Sequence, residues 1–145
     1  MKKSLFGIVA SLLLATPAFA ELSWTTDVPK AIEKAKAENK LVMMDFTGSD
    51  WCGWCIKLNK EVFSTPEFAD YAKKNLVPVE IDFPTKKVLS AELKKANKEL
   101  QKQYQIRGYP TIIVLNGEGK KVGELGYMAG GPKSFIAKLD ELKKK

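Results

Sequence analysis

The sequence predicts an α/β domain in three layers, a central mixed sheet with helices on both faces. Two observations carry this. Strand-like and helix-like stretches follow the order βαβαβ and then ββα, which sandwiches a sheet between helices. The last two strands are joined by Asn116-Gly117-Glu118-Gly119, a hairpin turn, so that pair is antiparallel. Length sets the scale. The 145 residues suit one domain, with no internal repeat, second domain or low-complexity linker beyond the lysines at 143–145.

The elements follow in order. Leu22-Ser23-Trp24 reads as a short first strand. Asp27 is an N-cap, and Val28, Ala31, Ile32 and Ala35 recur at helical spacing in a helix that ends near Asn39. Residues 41–46 are a continuous apolar run with one acid, suited to a buried central strand. Residues 47–50 form a loop, and a helix starts at Cys52 with Cys55, Leu58 and Val62 on one face. Thr65 caps a further helix with Pro66 at its first position and Phe68, Tyr71 and Ala72 as its apolar stripe. Residues 76–82 read as a strand weakened by Pro78. Leu89, Leu93, Ala96, Leu100 and Tyr104 then mark an amphipathic helix with lysines opposite. Residues 111–115 are a strand rich in β-branched side chains, and 121–125 is its hairpin partner. Gly130-Gly131-Pro132 leads into a last helix with Phe135, Ile136, Leu139 and Leu142 inward.

Residues 1–20 have the pattern of a secretory signal peptide. Lys2 and Lys3 are the basic end, residues 5–15 an apolar run too short to span a bilayer, and Ala18-Phe19-Ala20 a cleavage site. Cleavage would leave residues 21–145, with no cysteine beside the new terminus to carry a lipid. The expected location is periplasmic or otherwise exported and soluble. Without Lys2 and Lys3 the chain has 22 basic and 17 acidic side chains, a net charge of +5. The lysines are spread over solvated helix faces with no aromatic-rich basic cluster, so nucleic acid is not an expected partner. An exported chain meets an oxidising compartment in which a disulfide persists.

The chemistry is concentrated in Trp51-Cys52-Gly53-Trp54-Cys55, which holds the only two cysteines. A C-x-x-C between a strand and a helix reads as a redox dithiol. If Cys52 starts the helix, Cys55 follows one turn later on the same face, with Cα atoms about 5–6 Å apart, as a disulfide requires. Cys52 then sits at the positive end of the helix dipole among unpaired N–H groups, which stabilise the thiolate. It is expected to be the exposed, attacking thiol, and Cys55 the buried, resolving one. A zinc site needs two more ligands, and the chain has no histidine and no further cysteine, so only a dimer sharing four thiolates would serve. A purely structural bridge across three residues closes too small a loop to stabilise much. No metal is expected, and no cofactor beyond the Cys52–Cys55 disulfide.

Asp45-Phe46, Trp51-Cys52-Gly53-Trp54-Cys55 and Lys57 resemble the active-site segment of thioredoxins, and Gly108-Tyr109-Pro110-Thr111 resembles their cis-proline loop. The similarity runs from about Trp24 to Leu142. It implies a thioredoxin-like fold with a cis Tyr109–Pro110 bond facing the dithiol. It also implies a substrate-binding rim of Trp51, Gly53 and Trp54 on one side and Gly108, Tyr109, Pro110 and Thr111 on the other. Backbone groups of Tyr109 would pair with an extended substrate segment. One tryptophan is expected in the core, the other in an apolar collar. Asp45 is either an acid satisfied by backbone donors or, as the resemblance implies, a catalytic acid whose raised pKa lets it assist proton transfer at Cys55. Two departures bear on it. Thioredoxins usually have one residue fewer between this acid and the first cysteine. They also often have a lysine on the neighbouring strand, where this chain reads Val77-Pro78-Val79-Glu80. Lys57 and Arg107 are expected in solvent.

These readings converge on an exported thiol–disulfide oxidoreductase that acts on protein thiols and disulfides. A monomer is expected, with a membrane thiol carrier as electron donor. Oxidants of the superfamily often carry histidine between the cysteines. Here the pair is Gly53-Trp54, which favours a reductase. The alternatives are a disulfide oxidant or isomerase-like enzyme, and a redox-inert binding module on the same scaffold.

Overall fold

A computed structural model describes residues 21–145; the predicted signal peptide at 1–20 lies outside the described residues. The element order is α1 (Val28–Glu38), β1 (Leu41–Thr47), α2 (Gly53–Leu58), a π-helical turn (Asn59–Phe63), α3 (Pro66–Asn75), β2 (Leu76–Asp82), α4 (Ala91–Gln103), β3 (Thr111–Leu115), β4 (Lys121–Leu125) and α5 (Gly131–Lys143). The four strands form one sheet in the order β2-β1-β3-β4. β1 and β2 are parallel, and the other two pairs are antiparallel. This is the expected mixed sheet.

Alternation along the strands splits the core into two layers. Met43, Ile112 and Val114 pack against Leu58, Val62, Phe63, Phe68, Phe135 and Leu139 from α2, the π turn, α3 and α5. Val42, Met44, Phe46, Val79, Ile81 and Ile113 pack on the other face against Ala31 and Ala35 of α1, with Leu100 and Tyr104 beside them. Phe46, Phe68, Phe135, Met43 and Met44 are fully buried. Side chains of this kind each contribute about 1.5–3 kcal/mol relative to exposure. β1, in the middle, is buried along its whole length, as its apolar run predicts.

The caps match the local chemistry. Asp27 accepts from the Lys30 N–H at 3.1 Å, and Thr65 accepts from Phe68 N–H at 3.3 Å. Asn39 ends α1 in the left-handed region at φ 54°. Ser90 Oγ accepts from Leu93 N–H at 3.1 Å, so α4 begins at Ala91 and leaves Leu89 outside it.

Two expectations are corrected. Residues 22–24 form no strand. Contact with β2 is a single parallel bridge, Thr25 to Val79, in which Thr25 N–H donates to Pro78 O and Glu80 N–H donates to Thr25 O. The next bond would need an N–H at Pro78, which proline lacks. The apolar stripe of α4 is also incompletely buried. Its one fully buried side chain is Asn97, whose Nδ2 donates to the Asp82 carbonyl at 2.9 Å. The helix is held to the end of β2 by a buried hydrogen bond as well as by apolar contact.

Candidate active site

Cys52 is the N-cap of α2, and Cys55 lies in its first turn. The two form a disulfide with Cα atoms 5.2 Å apart, within the range the spacing predicts. Cys55 N–H donates to Cys52 Sγ at 3.3 Å, so the helix end points a free amide at the first sulfur. Cys52 is only 7% exposed and Cys55 5%. The expected contrast between an open first thiol and a hidden second is therefore absent in the oxidised form, where each sulfur covers the other.

The loop before the dithiol is tightly built. Trp51 N–H and Cys52 N–H both donate to Gly48 O, at 3.3 and 2.9 Å. The Trp51 indole folds over Gly48, where a Cβ would lie 2.4 Å from the ring. Glycine is required there for close approach. Trp51 Nε1 donates to Phe83 O at 2.8 Å. Its ring meets Tyr109 edge-on at 5.9 Å, and Tyr109 packs on Phe83 at 5.3 Å. Gln101 donates to the Tyr109 hydroxyl at 2.6 Å.

Tyr109–Pro110 is a cis peptide bond. Thr111 begins β3, and its hydroxyl donates to Gly108 O at 2.7 Å, closing the loop 108–111. This loop and the dithiol loop meet through the Trp51–Tyr109 contact, so residues far apart in sequence share one surface. Gly53 and Gly108 are exposed on it.

On the other flank, Trp54 packs on Tyr127 at 4.9 Å. Lys57 Nζ lies 5.2 Å from both ring centres, an arrangement that attracts a cation to aromatic faces. Tyr127 OH donates to Glu61 at 2.7 Å, and Glu61 pairs with Lys57 at 3.9 Å. Lys57 is exposed, as expected, and also rests against these rings and Glu61. Neither tryptophan is core: Trp51 is 48% exposed and Trp54 57%. Both lie at the surface, each packed against an aromatic neighbour. Arg107 is exposed, as expected.

Asp45 is buried on β1, and its Oδ1 has no hydrogen-bond partner. It shares the sheet face of Met43, which packs against Leu58 of the helix that carries Cys55. Burial pushes its carboxyl up to about 7, and the nearby carboxyls of Glu80 and Asp82 push the same way. Backbone donors do not satisfy it.

Sequence reasoning missed Tyr127 and Phe83, and the partners of Glu80 and Asp50. Glu80 is the register partner of Asp45. Tyr127 and Phe83 complete the two aromatic flanks. Asp50 is held ionised, because its carboxylate accepts from the N–H groups of Thr85, Lys86 and Lys87 at 2.9, 2.7 and 3.0 Å. These bonds hold its pKa far below the usual carboxylate range. Only Asp45–Glu80 was legible in principle, from the alignment of two neighbouring strands. Among the described residues no group of side chains could hold a metal ion, and no helix is long and apolar enough to cross a membrane.

Comparison with known proteins agrees with this geometry. The model of the thioredoxin-like domain family matches residues 28–143. The chain is 36% identical over 122 residues to the disulfide bond reductase DsbH of Chlamydia pneumoniae, covering 84% of this chain and 73% of that protein. It is 29% identical over 130 residues to the thioredoxin-related protein DsbJ of the same organism, covering 86% of this chain but 37% of DsbJ. A solved structure of a DsbH oxidoreductase superposes with a TM-score of 0.81 at 34% identity, covering 93% of this chain and 94% of that one. With a C-x-x-C disulfide at a helix tip, and a cis-proline loop joined to it through Trp51 and Tyr109, the chain belongs to the thioredoxin-like family and is homologous to the disulfide bond reductase DsbH and the thioredoxin-related protein DsbJ.

Proposed function

We propose that this chain is an exported protein-disulfide reductase, cleaved after Ala20, whose Cys52–Cys55 couple carries the electrons without another cofactor. One observation supports the direction most: Asp45 and Glu80, two buried or half-buried carboxyl groups, share the sheet face that packs against the helix carrying the dithiol, in a chain without histidine. Negative charge and desolvation there oppose a very acidic thiol, and a strong oxidant depends on one. The relative DsbH, a disulfide bond reductase, points the same way.

In the reduced form the Cys52 thiolate attacks one sulfur of a substrate disulfide. A mixed disulfide forms, and the other substrate sulfur leaves as a thiolate. Asp45, with a pKa near neutrality, takes the proton of Cys55. The Cys55 thiolate then attacks Cys52 Sγ and expels the second substrate thiolate. The products are a substrate dithiol and the Cys52–Cys55 disulfide, so two electrons have passed to the substrate. A membrane thiol carrier would restore the dithiol. The substrate segment runs between the Trp54–Tyr127 flank and the loop of Gly108, Tyr109, Pro110 and Thr111, with Trp51 and Gly53 at its edge.

The test is reduction of insulin disulfides with dithiothreitol as donor. The chain should accelerate the reaction well above the uncatalysed rate. No acceleration by the reduced chain would overturn the reductase reading, and no oxidation of a reduced protein either would leave the redox-inert scaffold.

A further inference from the structure

Residues 83–90, between β2 and α4, contain no helix or strand, yet they lie beside the dithiol loop. Three consecutive residues of that loop reach across to this segment or to the end of β2 just before it. Ser49 donates through N–H and Oγ to Asp82, at 3.0 and 2.5 Å. Trp51 Nε1 donates to Phe83 O at 2.8 Å. Between them, Asp50 Oδ1 accepts from Thr85 N–H at 2.9 Å and Thr85 Oγ1 at 3.2 Å, while Oδ2 accepts from Lys86 N–H at 2.7 Å and Lys87 N–H at 3.0 Å. Pro84 has no N–H to give. Among the described residues, the backbone N–H groups of 84–89 that find a partner all find it in Asp50. This is the loop that is one residue longer than thioredoxins usually have.

The docked segment is exposed and chemically distinct. Thr85, Lys86 and Lys87 lie open to solvent, and Val88, the next residue, is 87% exposed, the most exposed large apolar side chain among the described residues. An apolar side chain displayed beside two lysines, on a segment whose start is bonded to the exposed Trp51, suits a polypeptide partner better than a small disulfide.

We propose that Asp50 is a positioning residue that docks segment 84–89 beside the dithiol, so that Lys86, Lys87 and Val88 form a third side of the surface that meets a protein substrate. The occupant is the stretch flanking the substrate's cysteine, with an apolar side chain against Val88 and an acidic one in reach of the lysines. This rests on protein disulfides or dithiols being the substrates, and not on the direction of transfer.

Steady-state kinetics on the full chain test it, run both as insulin reduction and as oxidation of a reduced, unfolded protein. Asp50→Ala should raise KM for the protein about three- to tenfold while kcat stays within about twofold. Asp50→Asn, which keeps one acceptor oxygen, should fall between it and the parent. Val88→Asp changes an exposed side chain that fastens nothing, and should raise KM by a similar factor with an unchanged melting temperature. Turnover of a small aromatic disulfide should respond less than protein turnover in every variant. If Asp50→Ala fails to fold, Asp50→Asn and Val88→Asp decide. KM unchanged in the variants that fold, or a fall in kcat with KM intact, overturns the proposal. A chain that runs only as an oxidant overturns the reductase reading instead, and the KM shift in the oxidative assay still decides this one.

Discussion

Asp45 and Glu80 stand directly opposite each other in the parallel pairing of β1 and β2. Register partners in a sheet point to the same face, so two carboxyl groups lie side by side on the sheet face that packs against α2, α3 and α5. Desolvation is the largest cause of the raised pKa at both.

Stability should therefore depend on pH in a particular sense. Unfolded, Asp45 ionises near 3.8; folded, near 7. Between these values the folded chain holds a proton that the unfolded chain has lost, so stability falls as pH rises from about 4 to about 7. A separation of about three pH units corresponds to a loss on the order of 4 kcal/mol, complete above neutrality. Asp45→Asn removes the ionisable group and should melt above the parent at pH 8 and close to it at pH 4. Thermal melts of the oxidised chain across this range give the answer; a variant that melts lower than the parent at pH 8 would contradict it.

The same substitution should slow the reaction. An asparagine cannot take the Cys55 proton, and loss of a positioned base costs about 10²-fold or more. Insulin reduction by Asp45→Asn should drop most near pH 7 and recover as pH approaches the thiol range, where Cys55 ionises unaided. Equal rates for parent and variant from pH 6 to 8 would leave Asp45 no part in proton transfer.

The cysteines have separable parts. Cys52 receives the Cys55 N–H at the end of α2, and Cys55 receives no such bond. Cys52→Ser should abolish exchange, whereas Cys55→Ser should accumulate a covalent complex with the substrate through Cys52. Non-reducing gels with a protein substrate distinguish them. A trapped complex in the first variant and none in the second would reverse the roles.

Most of the frame was legible in the sequence. The unbroken apolar run of β1, the Thr65-Pro66 start of α3 and the Asn116–Gly119 turn each follow from local chemistry, and each forms as predicted. The dithiol and the proline loop were legible because their residue types and spacing are unusual. What was hidden depends on distant pairing. The Asp50 anchor joins residues 35 to 37 positions apart. The Glu61–Tyr127 bond spans 66. The missing first strand required knowing which edge of β2 Pro78 faces. Lys57 looked like a solvated lysine because nothing in sequence places Tyr127 beside it.

Gly48 offers a test of the local packing. A methyl group there would overlap the Trp51 indole at 2.4 Å. Gly48→Ala should destabilise the fold by about 1–3 kcal/mol, as overpacking does, and displace Trp51 from its bond to Phe83. Denaturant melts and a red shift of tryptophan emission report both. An unshifted spectrum with unchanged stability would show that the ring is free to move aside.

The last prediction concerns the potential of the Cys52–Cys55 couple, expected nearer to about −270 mV than to about −120 mV. A strongly oxidising couple has a reduced form stabilised by a very acidic first thiol. Here the sources of such stabilisation are few. Cys52 has the N-terminus of α2, a helix of six residues that passes into a π turn, and one amide donor at 3.3 Å. No histidine is present, and the nearest lysine, Lys57, is drawn to the Trp54 and Tyr127 rings and to Glu61. Asp50 stays ionised, but the N–H dipoles of Thr85, Lys86 and Lys87 point at it and oppose its field at Cys52. The balance falls to Asp45 and Glu80, whose ionised forms disfavour a second negative charge on sulfur nearby. Asp45→Asn combined with Glu80→Gln should therefore shift the potential upward, and Asp50→Asn should leave it nearly where it was. Equilibration in glutathione buffers, read by emission from Trp51 and Trp54, measures all three. A parent potential above about −150 mV would replace the reductase with an oxidant.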